Sequence, residues 1–290
     1  MSGADPAGLP VLQQIFHPSD FTPESDVAFV HALKAALLAK AELTILHVSP
    51  KHELDWTEFP GVRATLERWG LLPKHSSQSA VATLGINVKK VQAKHDDPVE
   101  SVTAYLSSHN TDLIVLATDQ QKGKVQWLNQ SVAAPIARKS RQMTLFIPKG
   151  LEGFVSVGDG SVSLTSILIP VAETPAAQPS VQAAARIVSR LNCPSGVFTL
   201  LHVGEKAGMP QVQMPTVPGW TWHTEIRSGD VVDVISETAS AKRAGLIVLT
   251  TEGRHGFLDA LRGSHSERVL QQAPCPLLAI PASSFMASVI

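Results

Sequence analysis

The sequence has few of the residues that mark nucleic-acid binding, disulfide scaffolds or membrane spans. Only 5% of its 290 residues are aromatic and the net charge is −1, so neither a base-stacking platform nor a basic patch is indicated. Two cysteines, Cys193 and Cys275, are typical of a reducing compartment. No apolar run approaches the ~20 residues of a membrane helix, and the first residues lack a signal-peptide pattern. We therefore expect a cytoplasmic protein that binds neither nucleic acid nor membrane.

What the sequence does contain is an internal repeat. Residues 112–118, DLIVLAT, return as GLIVLTT at 245–251, a spacing of 133 residues. Upstream, residues 15–23 return at 167–175, a spacing of 152 residues. The spacing falls between these points because the second copy lacks about twenty residues. Two duplicated halves explain this pattern better than chance does.

The length of the chain suits two domains. We predict a first domain over residues 1–150, a linker over 151–165 and a second domain over 166–290. The linker alternates around Gly158-Asp159-Gly160, which is typical of a β-hairpin rather than a flexible tether. Such a hairpin would hold the halves in a fixed relation.

Each half alternates short apolar strands with segments of helical period. The runs are rich in Leu, Ile and Val, as in strands buried on both faces of a parallel sheet. We therefore predict two tandem doubly wound α/β domains, Rossmann-like and of about five strands each. The predicted strands include 43–48, 88–93, 143–147, 197–203, 221–227 and 276–280, and the predicted helices 26–40, 57–69, 98–108, 181–191 and 231–244.

A glycine-bearing loop follows the apolar strand 246–249. It contains Gly253 and Gly263 and leads to a helix start at Ser264, which stands at capping-box spacing from Glu267. Free N–H groups and the dipole of a helix start favour an anion, which predicts a phosphate cradle. The alternative is an ordinary strand–loop–helix junction, and glycine spacing alone favours that alternative.

The sequence resembles the universal stress protein family, in a tandem form, over nearly its whole length. The nucleotide loop of that family has two glycines, nine further residues and a Gly-Ser or Gly-Thr pair. In the second half these positions are Thr250, Gly253, Gly263 and Ser264, so three of four match. In the first half they are Ala117, Gln120, Gln130 and Ser131, and the glycines are missing. The resemblance therefore implies nucleotide binding in the second half.

The strand ends depart from the family pattern in the opposite sense. Pro18-Ser19-Asp20-Phe21-Thr22 resembles the family motif whose aspartate hydrogen-bonds adenosine, whereas Ala172 replaces that aspartate in the second half. Leu46-His47-Val48 and Leu201-His202-Val203 resemble the second-strand motif, whose valine backbone lies near adenine. Each half has thus kept the part of the site that the other lost.

The resemblance implies a stress-response regulatory protein that binds ATP or AMP and hydrolyses the nucleotide little or not at all. Whether Mg²⁺ binds with the nucleotide is left open. A nucleotide-independent interaction module and a weak ATPase remain alternatives. The resemblance also implies an internal pseudo-dimer, in which strands 143–147 and 276–280 pair. A protein partner of unknown identity and a homodimer are both left open. The implied second-half site residues are Val171, Ala172, Val203, Thr250, Gly253, Arg254, Gly263, Ser264 and His265, and the first-half candidates are Asp20, Val48 and Ser131.

Three further features of the sequence are the histidines, the acidic run before residue 98 and a segment rich in proline and glycine. We predict no catalytic residue and no metal site, because the eleven histidines lack ligand spacing and read as buried structural residues. The acidic run ending at Asp97 is interpreted as a helix cap. Residues 204–220, rich in proline and glycine, are not expected to form a helix. They form either a mobile lid over the second-half pocket or a disordered surface loop.

Overall fold

The computed structural model of the chain describes residues 12–22, 25–49, 57, 59–93, 97–118, 142–251, 269–270 and 272–282. Ten strands in these ranges form a single sheet. In the first half they are β1 (Gln14–Pro18), β2 (Glu42–Val48), β3 (Asn87–Ala93), β4 (Leu113–Thr118) and β5 (Met143–Pro148). In the second half they are β6 (Ser166–Pro170), β7 (Gly196–Val203), β8 (Trp220–Arg227), β9 (Leu246–Thr251) and β10 (Leu277–Pro281).

The order of strands across the sheet is β3-β2-β1-β4-β5-β10-β9-β6-β7-β8. Each half therefore has the order of a doubly wound fold, in which the chain reverses direction across the sheet beside β1 and beside β6. Within each half the described strand pairs are parallel. The predicted α/β class with a parallel sheet is confirmed.

Helices cover both faces of this sheet. Those that lie within the described residues are α1 (Ser25–Ala39), α2 (Val62–Arg68), α3 (Pro98–Ser108), α4 (Gln178–Arg190) and α5 (Val231–Ala241), with 3₁₀ turns at Gln78–Leu84 and Lys206–Gly208. Buried residues of α1 and α4 share one core, whereas those of α3 and α5 share the core on the opposite face. Of the helices described, none is long and apolar enough to span a bilayer.

The sequence of β4 shows why the central strands consist of continuous apolar runs. Leu113 and Val115 lie in the core on the α1 side, and Ile114 and Leu116 lie in the core on the α3 side. Successive side chains of a strand point to opposite faces, so a sheet covered by helices on both faces requires apolar residues at every position. The LIVL run of the second half repeats this arrangement.

The two halves join through their last strands. β5 and β10 pair antiparallel, with Leu145 opposite Leu278 and Phe146 opposite Leu277. The strand pairing that the resemblance implied is therefore present. It turns two open sheets into one continuous sheet and leaves neither of these edges unpaired.

Between the halves, a hairpin is built around an antiparallel bridge between Val155 and Val162. It docks on the first half: the backbone N–H groups of Phe154 and Val155 donate to Nε2 of His31 at 3.1 and 3.2 Å. Gly160, whose φ of 70° is left-handed, packs so closely on Trp69 that a Cβ there would lie 2.5 Å from the indole. The contacts of this hairpin therefore fix it to α1 and to the end of α2.

Two aspartates begin equivalent helices. Asp97 accepts from the N–H groups of Val99 at 2.8 Å and Glu100 at 3.2 Å, and Asp230 makes the same pair of bonds at the start of α5. These side chains satisfy donors that have no partner within the helix. The interpretation of Asp97 as a cap is confirmed.

Candidate functional site

The ends of β1 and β6 have the same backbone frame. In the first half, the N–H of Ser19 donates to the carbonyl of Leu46 at 2.9 Å, and Nδ1 of His47 lies 2.7 Å from the carbonyl oxygen of Ser19. In the second half, the N–H of Val171 donates to Leu201 at 2.9 Å, and Nδ1 of His202 lies 3.2 Å from the carbonyl oxygen of Val171. These histidines tie the end of one strand to its neighbour, so their role is structural.

In the first half, Asp20 is fully engaged by its own neighbours. One carboxylate oxygen accepts from the N–H of Thr22 at 3.1 Å, from the Thr22 hydroxyl at 2.7 Å and from the Ser25 hydroxyl. The other oxygen lies 3.1 Å from Nζ of Lys149, directly after β5. The carboxylate therefore organises the turn that starts α1 and links it to the end of β5.

These contacts determine the charge of Asp20. Partial burial raises its pKa, but the hydrogen bonds from Ser25, Thr22 and Lys149 together outweigh burial and hold the pKa well below its ordinary value. The group is therefore ionised at neutral pH. The internal hydrogen bonds of Asp20 account for this ionised carboxylate without any ligand.

An aromatic cluster occupies the same strand end. The ring of Phe21 stacks on that of His47, with centroids 3.7 Å apart and planes 8° from parallel, and meets Phe59 edge-on at 5.0 Å. Nζ of Lys90 lies 5.5 Å from the centroid of Phe59. Phe21 adopts a left-handed φ of 61°, an uncommon conformation for a bulky residue. The motifs did not predict this cluster. The one visible signal was that the repeat has an aromatic residue, Phe21, in the first half where the second half has the charged Glu173.

The second half keeps His202 at the position of His47, but it lacks the aspartate, the phenylalanine and the lysine of the first strand end. Ala172 stands at the position of Asp20 and Glu173 at that of Phe21, and both are exposed. Residue 282, at the position of Lys149, is an alanine. A single bridge between Ala172 and Ala176 shapes the turn before α4. The region that the first half fills with its own side chains is therefore lined here by small or exposed residues.

Thr250 has a structural contact that the family motif did not predict. Its hydroxyl accepts from the N–H of Ser180 at 3.2 Å, in the first turn of α4. Ala177, which precedes this helix, has no side-chain acceptor and cannot cap it. Thr250 supplies that acceptor from β9, which fixes the start of α4 beside the end of the strand.

The segment 204–219 is held in a defined place rather than left as a loose loop. The Gln178 side chain donates to the carbonyl of Gln213 at 2.9 Å and accepts from the N–H of Gln213 at 2.8 Å. Met209 and Val212 pack against the core on the α4 side. These contacts attach the segment to the start of α4 and argue against a disordered loop, whereas its role as a lid stays a prediction. As predicted, it holds no helix beyond one 3₁₀ turn.

The remaining site residues divide into two groups. Val48 and Val203 are half-buried last residues of β2 and β7, so they lie at the carboxyl edge of the sheet as predicted. The loop residues Ser131, Gly253, Arg254, Gly263, Ser264 and His265 lie outside the described residues. Their roles remain predictions.

Two buried titratable groups, His17 and Cys275, are neutral at pH 7. Burial lowers the pKa of His17 to about 4, although Nδ1 lies 3.0 Å from the Val115 carbonyl. Burial raises the pKa of the Cys275 thiol to about 12. Among the described residues, no three His, Cys, Asp or Glu side chains gather as a metal site.

Comparison with known proteins agrees with this architecture. The sequence model of the universal stress protein family matches residues 12–148 and 218–281. A universal stress protein of Methanocaldococcus jannaschii is 43% identical over 81 residues, which are 28% of this chain and 48% of that protein. A universal stress protein E homolog of Haemophilus influenzae is 41% identical over 61 residues, 21% of this chain and 20% of that protein. The matches thus span about half of the first relative and a fifth of the second.

Solved structures show the same fold at low identity. The crystal structure of a universal stress protein from Archaeoglobus fulgidus has a TM-score of 0.57 at 17% identity, covering 92% of this chain and 96% of that one. The cytoplasmic domain of a prokaryotic cation chloride cotransporter has a TM-score of 0.53 at 10% identity, covering 95% and 99%. At sequence identities of 17% and 10%, these likenesses concern the fold alone.

Proposed function

This chain belongs to the universal stress protein family, and on that premise we propose that its second half binds an adenine nucleotide. ATP or AMP, with or without Mg²⁺, would lie at the carboxyl ends of β6, β7 and β9 in a regulatory protein with little or no hydrolysis. The contrast between the strand ends carries the proposal. Asp20 and Phe21 are occupied by internal contacts in the first half, whereas Ala172 and Glu173 are exposed in the second.

Each part of the nucleotide would meet a different element. Gly253, Gly263 and Ser264 would hold the phosphates, because a helix start with free N–H groups favours anions. The backbone between Val171 and Ala172, with Val203 opposite, would face the adenosine. The segment 204–219, fixed to α4 through the Gln178–Gln213 pair, would cover it.

The repeat supplies a matched pair of variants for the phosphate end. Gly263→Val should abolish binding of ATP and AMP in calorimetry, because a side chain there blocks close approach of the backbone. Gln130→Val, at the equivalent position of the first half, should leave the dissociation constant unchanged. An absence of heat with either nucleotide in the wild type would overturn the proposal and leave the nucleotide-independent interaction module.

The adenosine end is tested by restoring the family's aspartate. Ala172→Asp should tighten binding by roughly one to two decades, since a charge-assisted hydrogen bond contributes about 1.5–3 kcal/mol. Ala176→Asp, four residues along the same turn, is the control and should not tighten it. An equal gain in both variants would show that a general change in charge, not contact with adenosine, is responsible.

A further inference from the structure

Away from the strand ends, an apolar cavity of about 230 Å³ lies between α1 and α4. Its floor consists of four buried leucines of the central strands, Leu113, Leu145, Leu246 and Leu278. Ala35 and Leu38 of α1 and Ile187 of α4 stand in its walls, and each is only half-buried. The cavity is therefore apolar in its depth and reaches solvent between the two helices.

Both halves contribute equivalent positions to this cavity. The leucines of the first half correspond to those of the second at the repeat spacing of 133 residues. Lys34 occupies the position that corresponds to Arg186 at the spacing of 152. The cavity thus lies where the halves meet, above the antiparallel junction of β5 and β10. The linker hairpin adds Phe154 and Val155 to its lining. The lining of the cavity therefore combines residues of both halves and of the linker.

The polar lining of the cavity is cationic. Lys34, Arg186 and Arg190 line it, and the described lining residues include no aspartate or glutamate. Nζ of Lys34 donates to the carbonyl of Gly160 at 2.9 Å, which uses one of the three donors of an ammonium group. The guanidinium fork of an arginine matches a carboxylate in shape and can bind it through two hydrogen bonds.

His31 completes the polar lining without adding charge. Burial lowers its pKa to about 4, although Nδ1 lies 2.7 Å from the Val27 carbonyl. Its Nε2 accepts from the two hairpin N–H groups, which only a neutral ring can do. The ring of His31 is therefore neutral at pH 7, and the cationic side chains of the described lining are those of Lys34, Arg186 and Arg190.

We propose that this cavity binds a medium-chain fatty carboxylate, with the acyl chain on the leucine floor and the carboxylate between Lys34 and Arg186. An apolar cavity of about 150 Å³ accommodates the six carbons of benzene, so about 230 Å³ suits roughly nine carbons, the length of the decanoate chain beyond its carboxyl group. Charge complementarity favours an anionic head over a neutral one. The site is separate from the proposed nucleotide site, so either can fail without the other.

Calorimetry of the full chain with decanoate tests the proposal. We expect saturable binding with one site per chain, and roughly tenfold weaker binding of octanoate, which buries two fewer methylene groups. Arg186→Gln should weaken decanoate at least tenfold and leave decanol, the neutral analogue of equal length, nearly unchanged. Lys242→Gln removes a cation at the end of α5, on the opposite face of the sheet, and should have no effect.

A second variant tests whether the chain enters the cavity. Ala35→Phe places a ring in the half-buried wall and should abolish binding of both decanoate and decanol, with circular dichroism and melting temperature as checks of folding. Failure of wild type to bind decanoate would overturn the proposal. So would equal losses in Arg186→Gln and Lys242→Gln, which would indicate non-specific attraction. Binding that survives in a folded Ala35→Phe protein would place the ligand elsewhere and also refute it.

Discussion

Lowering the pH should weaken the folded state through His31, which anchors the linker hairpin. The N–H groups of Phe154 and Val155 both donate to Nε2 of this ring, so protonation there removes their acceptor and places a charge in a buried site. The folded-state pKa is about 4 against an ordinary 6.5. Because the folded pKa is the lower one, this stability is complete above pH 6.5 and is lost as the pH falls towards 4.

The size of the effect follows from that difference in pKa. At 1.36 kcal/mol per pKa unit, protonation of His31 should cost about 3 kcal/mol of unfolding free energy by pH 4. His17 has the same folded-state pKa of about 4 and should cost a similar amount, so the two together approach about 6 kcal/mol. Carboxylates also titrate in this range, but they do so equally in a variant that lacks only His31.

The assay is urea unfolding at pH 7 and pH 4, followed by tryptophan fluorescence. Trp69 is a suitable reporter because its indole N–H donates to Val157 of the hairpin at 3.2 Å. His31→Leu should be less stable than wild type at pH 7, because it leaves two N–H groups unpaired, but should lose about 3 kcal/mol less between the two pH values. His223→Gln, at an exposed position of β8, is the control. A His31→Leu protein with the pH dependence of wild type would refute the reasoning.

Two further predictions concern Asp20 and the thiols. Asp20→Asn should destabilise the chain by about 1 kcal/mol at pH 7 through weaker bonds to Ser25 and Lys149. That difference should shrink below pH 4, because a depressed carboxyl pKa contributes stability only while the group is ionised; a difference that persists at pH 2 would exclude this cause. Cys275, with its pKa raised to about 12 by burial, should resist alkylation at pH 8 until urea unfolds the protein. Rapid labelling of Cys275 in native conditions, read by mass spectrometry, would contradict its buried position.

The strand ends illustrate how far motif reading reaches. The sequence placed Asp20, Val48 and Val203 at the carboxyl edge of the sheet, and the structure has them there. It did not predict the lysine beside Asp20 or the ring of Phe21 on His47. Lys149 is 129 residues from Asp20 in the chain, so no local pattern connects them. Such contacts arise only when strand ends that are distant in sequence meet at one edge.

The sequence by itself determined the elements and their class. Apolar runs of strand length, helical periods and caps such as Asp97 and Asp230 are local signals, and the internal repeat showed that they occur twice. Each of these signals spans only a few residues, because the hydrogen bonds of a helix cap and the spacing of apolar side chains along a helix or strand involve residues that are close in sequence. That is why most helix and strand positions could be predicted from the sequence to within a few residues. The helix predicted over 57–69 is the exception: it begins only at Val62, directly after Pro60 and Gly61, which are poor helix formers.

Tertiary structure alone decided which side chains share a space. The hairpin docks on His31 from 123 residues away, and Lys34 faces Arg186 across a cavity that both halves line. Such placements depend on the order of strands and on the antiparallel junction of β5 and β10, which bring the two halves into one body. Packing of distant segments is set by the whole chain at once, so its consequences for charge and ligand chemistry could not be read from spacing along the sequence.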